Sequence, residues 1–315
     1  MHIFNELTYI HKSSLALGYF DGLHLGHKVV LKNAVNAAKK NNTESAVVLF
    51  NEHPLAYLNG AAPPKLLTLD EKLEILAQTG IDNAVILDFK DFASMRAGDY
   101  FKNVIIKYFS PIAVTTGFNH SFGFKKEGDS RFLREKCAEY GCKYYEIPPF
   151  TIDGNLISCS NIRKMISIGD FYEADRLLGY SFFIRGIVVK GAGIASKLGF
   201  PSANINYPEE KAQLPEGVYF VQVKTGGSVY NGVLNRGISP DINNEPAMKT
   251  EVHIIGFNGD IYGENIEISF ITKIRNQIKF ENTEKLKAQI IRDTAFTDIY
   301  SKFMNKHFSL SGCRF

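Results

Sequence analysis

The chain has 315 residues, 45% hydrophobic and 22% charged, a composition that suits a soluble globular protein with two domains. Its 36 basic and 33 acidic residues leave a net charge of +3, too small and too evenly spread to point to nucleic acid or a membrane surface. No apolar run approaches the ~18 residues of a membrane span. The start, Met1-His2-Ile3-Phe4-Asn5-Glu6, lacks a basic region followed by an apolar core, so no signal peptide is expected. The cysteines, Cys137, Cys142, Cys159 and Cys313, match no metal spacing, which favours a reduced, cytoplasmic setting.

The first half alternates apolar strands with amphipathic helices. Leu15–Leu17 reads as a buried strand, Lys28–Lys40 as a helix and Ser45–Phe50 as the next strand. Thr68-Leu69-Asp70-Glu71 has the form of a capping box ahead of a helix bearing Leu73, Leu76 and Ala77. Ala84–Leu87, Tyr100–Phe109 and Ile112–Thr115 continue as strand, helix and strand. This rhythm predicts a parallel sheet covered on both faces, with ligands bound beyond the carboxyl ends of its strands. Two short helices follow, about Asn161–Ile168 and Phe171–Leu178, the second capped by Asp170 with Glu173.

Near Tyr180 the pattern changes, and the domain boundary is placed there, giving 1–180 and 181–315. Strand patterns with glycine-rich turns run over Phe182–Val189, Val218–Val223, Val229–Leu234, Glu251–Phe257 and Ile266–Ile271. Their spacing predicts a small antiparallel barrel. A last helix is expected from Thr283 to about Met304, with Leu286, Ile290, Ile291 and Ile299 apolar.

The chemistry concentrates where the first strand hands over to a helix: Gly18-Tyr19-Phe20-Asp21-Gly22-Leu23-His24-Leu25-Gly26-His27. Glycine allows close backbone approach to a ligand, and a helix N-terminus offers free N–H groups and a positive dipole end. Two imidazoles three residues apart there suit the phosphates of a nucleoside triphosphate. Three more stretches are expected to meet at the top of the sheet: Phe50–Pro54, Gly117–Gly123 and Ile157–Arg163. In the last, hydroxyls and an arginine in a first helical turn suit a triphosphate.

In order and spacing these four stretches resemble the adenylyltransferase module of the bacterial bifunctional riboflavin kinase/FAD synthetase family. The second half resembles the riboflavin kinase module of that family: Leu198-Gly199-Phe200-Pro201-Ser202-Ala203-Asn204-Ile205, then Glu251-Val252-His253-Ile254, Phe257–Gly263, and Ile274-Arg275 with Lys279-Phe280. The resemblance implies an α/β nucleotidyltransferase domain followed by a small barrel with a closing helix. It implies two reactions: the γ-phosphate of ATP moves to riboflavin to give FMN, and AMP from a second ATP moves to FMN to give FAD and pyrophosphate. Riboflavin, FMN and ATP are the expected partners and Mg²⁺ the expected cofactor. By the same resemblance, His24 and His27 contact the ATP phosphates, aided by Gly18, Phe20, Gly22, Gly26, Ser158, Ser160 and Arg163, while Asp21 either touches the nucleotide or supports the loop. Asn119 and Phe122 lie near the flavin. In the barrel, Ser202 and Asn204 hold Mg²⁺ and phosphate oxygens, and Glu251 is the general base. Gly191, Gly193 and Lys197 lie by the nucleotide, and Arg275 by the flavin.

The chain departs from the family pattern at particular places. Asn119 stands for Asp, Cys159 lies between Ser158 and Ser160, and Ala195-Ser196 replaces Gly-Arg. Asn235–Asp241, with Arg236, Ser239 and Asp241, stands where Asn-Ile-Gly-x-Arg-Pro-Thr is common, and Gln277 replaces Glu. Asn204 and Glu251 remain, so an active kinase is expected. The alternative is an FMN adenylyltransferase whose barrel is a weak or inactive kinase serving as a flavin-binding platform. A flavin-sensing regulator and a nucleotidyltransferase for pantetheine phosphate are less consistent with the histidine pair and the barrel signature. Sequence leaves the oligomeric state open.

Overall fold

The computed structural model describes residues 1–190, 199–240 and 246–308. It divides into two compact units, Met1–Cys159 and Ser160–Phe315. Sequence alone places the boundary about twenty residues later, because Asn161–Leu178 reads as more helix following an α/β pattern.

The first unit holds β1 (His2–Phe4), β2 (Ser14–Leu17), α1 (Leu25–Lys40), β3 (Ser45–Phe50), α2 (Pro54–Asn59), α3 (Leu69–Ala77) and β4 (Asn83–Leu87). Next come α4 (Ala97–Tyr100), which continues as a π-helix over Phe101–Phe109, then β5 (Ala113–Gly117), α5 (Ser130–Glu139) and β6 (Lys143–Ile147). A short hairpin, β7 (Thr151–Ile152) and β8 (Asn155–Leu156), completes it. The six-stranded sheet has the order β1-β4-β3-β2-β5-β6, and its ladders are parallel. Strands β2 to β5 are almost wholly buried and β2 to β4 are mostly apolar, as a sheet covered on both faces requires. The crossover from β2 leads to β3 on one side while β5 lies on the other. The segment after β2 therefore opens at the switch point, where open α/β sheets bind ligands.

The expected capping box forms: Thr68 Oγ1 accepts from Glu71 N–H and Glu71 returns a carboxylate to Thr68 N–H. The start of α1 differs from expectation. It begins at Leu25, three residues before Lys28, because the imidazole of His24 acts as N-cap and accepts from His27 N–H. Preferred caps are Ser, Thr, Asp and Asn, so local pattern does not flag a histidine.

The second unit contains α7 (Phe171–Leu178) and a closed antiparallel barrel. Before them, α6 (Cys159–Ile168) bridges the division in the chain. The barrel strands are β9 (Phe183–Val189), β10 (Ser202–Ile205), β11 (Gly217–Thr225), β12 (Ser228–Pro240), β13 (Pro246–Ile254) and β14 (Asn265–Arg275). They close in the order β10-β13-β12-β11-β14-β9, and α8 (Thr283–Phe308) follows. Asp170 caps α7 as expected, and Phe171 stacks on Phe270 of β14 at 5.0 Å. The strand expected over Glu251–Phe257 instead ends at Ile254 and starts at Pro246. Gly256 then turns the chain, with φ at +73°.

Candidate active sites

The turn between β2 and α1 is tightly built. A Cβ on Gly18 would lie 2.8 Å from the Phe20 ring, so any side chain there would force that buried ring to shift. Phe20 and Leu23 adopt left-handed backbone angles, with φ of 52° and 42°. A non-glycine residue there stores roughly 1 kcal/mol or more of strain and persists only where its surroundings hold it. The Asp21 carboxylate, 3% exposed, accepts from Leu66 N–H at 3.3 Å. That makes it a support for the turn.

The two histidines face each other at the head of α1. Their rings stack at 3.6 Å with 16° between planes, and Phe20 meets His27 edge-on at 5.3 Å. His24 Nδ1 accepts from His27 N–H, so the neutral imidazole carries its proton on Nε2. Burial pulls His24 down to about 4. Burial, then the charges of His24 and Lys72, hold His27 well below the ordinary imidazole value. Both rings are therefore neutral at physiological pH, and each carries one N–H donor. His27 Nδ1 is buried and has no hydrogen-bond partner among the described residues.

Neighbouring stretches converge on this turn. Tyr19 meets the ring of His53, the N-cap of α2, at 4.5 Å. A Cβ on Gly26 would touch Phe150, from the segment after β6, at 3.4 Å. His24, His27 and Cys159 each offer a ligand atom, all within 4.8 Å of one another. Yet the helix N-terminus and the Lys72 ammonium make the surroundings suited to an anion. Ser158 precedes α6, Ser160 lies in its first turn, and Arg163 sits one turn further on. Asn119 is exposed after β5. Phe122, half-buried, packs among Tyr100, Phe132 and His120, at ring separations of 5.6, 5.7 and 5.9 Å.

On the barrel, strand register assembles the polar groups. Asn204 lies opposite Glu251 on β13, and Glu251 lies opposite Asn235 on β12. Ser202 lies opposite His253. Thr250, Val252 and Ile254 are buried inside, which places Glu251 and His253 on the outer face. Burial pushes the Glu251 carboxyl above its ordinary value, opposed by Lys249. His253 Nδ1 donates to Pro201 O at 2.8 Å, which anchors the Ser202 strand. Gln277 donates to Asn235 Oδ1 at 2.7 Å and to Arg236 O at 2.9 Å. Arg236 turns into the barrel, 4.1 Å over the Tyr207 ring, and donates to Thr250 and Gln213. Arg275 forms an ion pair with Asp293 of α8 at 2.8 Å. Asp293 is 3% exposed, so this arginine ties down the closing helix. Gly191, Gly193, Ala195, Ser196, Lys197 and Asp241 lie outside the described residues.

Comparison with known proteins names this arrangement. The model of the FAD synthetase family matches residues 7–161, and that of the riboflavin kinase family matches residues 178–300. A bifunctional riboflavin kinase/FMN adenylyltransferase of Buchnera aphidicola is 34% identical over 298 residues, 93% of this chain and 94% of its own. The chain belongs to the bifunctional riboflavin kinase/FMN adenylyltransferase family. A Bacillus subtilis member is 34% identical over 288 residues, 90% of each chain. A crystal structure described as a macrolide-efflux protein from Streptococcus pneumoniae is 28% identical, with a TM-score of 0.85 over 95% of this chain and 99% of that one. That description belongs to the other protein. Among the described residues here, no helix is long and apolar enough to cross a membrane.

Lys72 of α3 lies outside the four sequence stretches that mark the site. It is 2% exposed, donates to Tyr19 O at 3.1 Å, and lies 4.1 Å from the Tyr19 ring centre. Its signal was positional: it falls between Leu69 and Leu76 on the inward stripe of an amphipathic helix, where a lysine is unexpected.

Proposed function

We infer that this chain uses ATP twice, phosphorylating riboflavin to FMN and adenylylating FMN to FAD with release of pyrophosphate. The observation that carries this is the succession of both family signatures in one chain, each falling on a built polar site. The first reaction is assigned to 181–315 and the second to 1–180.

In adenylyl transfer, a phosphate oxygen of FMN attacks the α-phosphorus of ATP. The bond from that phosphorus to the α,β-bridging oxygen breaks, and pyrophosphate leaves. The neutral imidazoles of His24 and His27 donate to phosphate oxygens and offset charge on the leaving group, work done by positioning and electrostatics. Gly18, Phe20, Gly22 and Gly26 shape the backbone for the nucleotide, and Asp21 supports them. The roles of Ser158, Ser160, Arg163 and Asn119 rest on the sequence motifs.

In phosphorylation, Glu251 accepts the proton of the ribityl 5′-hydroxyl. The hydroxyl oxygen then bonds the γ-phosphorus, and ADP leaves. A carboxyl raised by burial is the better base for this task. Ser202 and Asn204 sit two residues apart on one face of β10 and supply neutral oxygens, a donor set that suits Mg²⁺ together with phosphates and water. The bound ion would neutralise phosphate charge. A cytoplasmic location fits both substrates.

The test is to incubate purified protein with riboflavin, ATP and Mg²⁺ and separate the flavins by chromatography. FMN and FAD are both expected. FAD formed only from added FMN would overturn the kinase assignment, and no product from either flavin would overturn both.

A further inference from the structure

Burying an ammonium is costly unless something specific holds it, and Lys72 is buried beside the strained turn. Its Nζ donates to the carbonyl of Tyr19, the residue that precedes Phe20 with its left-handed φ. The same ammonium covers the Tyr19 ring. That ring braces His53, and the Phe20 ring braces His27. Asp21 fastens the other side of the turn to Leu66, just ahead of the capped start of α3. The helix and the segment that leads into it thus hold the turn from both sides, and both histidines follow from the turn in the chain.

We propose that Lys72 is a positioning residue for adenylyl transfer: its ammonium pins the Tyr19 carbonyl and so fixes the turn that sets His24 and His27. The proposal rests on assigning those histidines to the ATP phosphates. Its second effect is electrostatic. The Lys72 charge helps keep His27 neutral, so that the imidazole meets ATP as a donor and not as a cation already bound to another anion.

Titratable groups of the neighbouring elements face Lys72 among the described residues. They are Tyr19 and Asp21 of the turn, His27 of α1, Lys65 ahead of α3, and Cys159 at the head of α6. Burial pulls the ammonium down to about 8; Asp21 and Cys159 favour its charge, and Lys65 opposes it. Above that pH the amine is neutral and its grip on the carbonyl is weaker, because charge-assisted hydrogen bonds are roughly twice as strong as neutral ones. The effect on stability runs the other way. The unfolded chain binds the extra proton between pH 8 and 10.5, so this group's contribution to stability rises over that interval. A loss of rate there is therefore not unfolding caused by Lys72.

The experiment compares wild type, Lys72→Met and Lys72→Arg for FAD formation from FMN and for FMN formation from riboflavin, between pH 6.5 and 9.5. The wild type is expected to lose kcat/KM for ATP severalfold above about pH 8. Lys72→Met should lose about 10- to 100-fold in FAD formation, mostly in kcat, as expected for misplaced catalytic groups. It should show no basic limb and should phosphorylate riboflavin normally. Lys72→Arg, charged throughout, should recover most of the rate and keep it above pH 8. A Met variant with unchanged kcat, or an Arg variant that falls on the same basic limb as wild type, overturns the proposal. Should the Met variant not fold, the Arg variant and the wild-type profile decide. A wild type that makes no FAD would instead sink the assignment of the histidines.

Discussion

Around His24 and His27 the polar groups are buried and cross-braced, whereas around Glu251 they line the outer face of three strands. In the sheet unit the turn carries two left-handed non-glycine residues and is held by a buried lysine of α3. In the barrel, Asn204, Glu251 and Asn235 are neighbours through strand register, with Gln277 bonded to Asn235. The first site is strained and held by local packing, and the second rests on the ladder. A local substitution should therefore damage the first site through its supports, but the second only by removing a group that meets substrate.

The sharpest way to break this contrast is at the reacting groups. Glu251→Gln should lower FMN formation by about 10²- to 10⁴-fold, the usual contribution of a general base. FAD formation from added FMN should stay within about twofold. His27→Ala should do the reverse, with FAD formation down about 10²- to 10³-fold, as for a lost donor to a developing charge. Separate assays of the two products, with circular dichroism as a folding control, check both. A folded variant that loses both activities would mean that the two chemistries are not separable.

Much of this contrast is legible in the sequence, and the exceptions have physical causes. Strand, turn and helix could be placed around the histidines because buried parallel strands are continuous apolar runs, and Thr68 with Glu71 announces α3. The start of α1 was missed because a histidine caps it. β6, Lys143-Tyr144-Tyr145-Glu146-Ile147, is a polar edge strand with no alternation to find. α5 is short and largely exposed, so its apolar stripe reduces to Leu133 and Cys137. The Gly117–Gly123 stretch was recognisable, but not that Phe122 is held among core rings, since packing partners lie far away in sequence. The pairing of Arg275 with Asp293 is likewise invisible to local pattern, being a contact between a strand end and the middle of the last helix.

That pair gives the next prediction. Asp293 accepts from Arg275 Nε and Nη2 and from Gln289. Asp293→Asn leaves the guanidinium, 20% exposed, without its counter-charge. Breaking a buried pair from one side is costly, and the partial exposure of the arginine moderates the cost to about 2–3 kcal/mol. Thermal unfolding should shift down by several degrees, with KM for riboflavin little changed while the protein is folded. If Arg275 instead belongs to the flavin site, KM will rise at unchanged stability.

The smallest effect tests whether a buried charge in this chain always marks a site. Asp175 of α7 accepts from Phe182 N–H at 2.7 Å, and burial pushes its carboxyl up to about 7, against the hydrogen bonds from Phe182 and Ser181. Its folded value lies above the ordinary 3.8. Between those values the folded chain holds a proton that the unfolded chain has released. The stabilising contribution is therefore complete below about pH 4 and is lost as pH rises through 7. Above neutrality the carboxylate is a buried charge with hydrogen bonds but no function assigned to it. Asn keeps the acceptor and removes the charge. Asp175→Asn should thus raise stability at pH 8 by about 1–2 kcal/mol, and the advantage should vanish towards pH 4 in denaturant titrations. Both activities should be unchanged. A variant that is less stable at pH 8 would show that the carboxylate's hydrogen bonds outweigh its desolvation, and would place Asp175 with Asp21 as a charge the fold depends on.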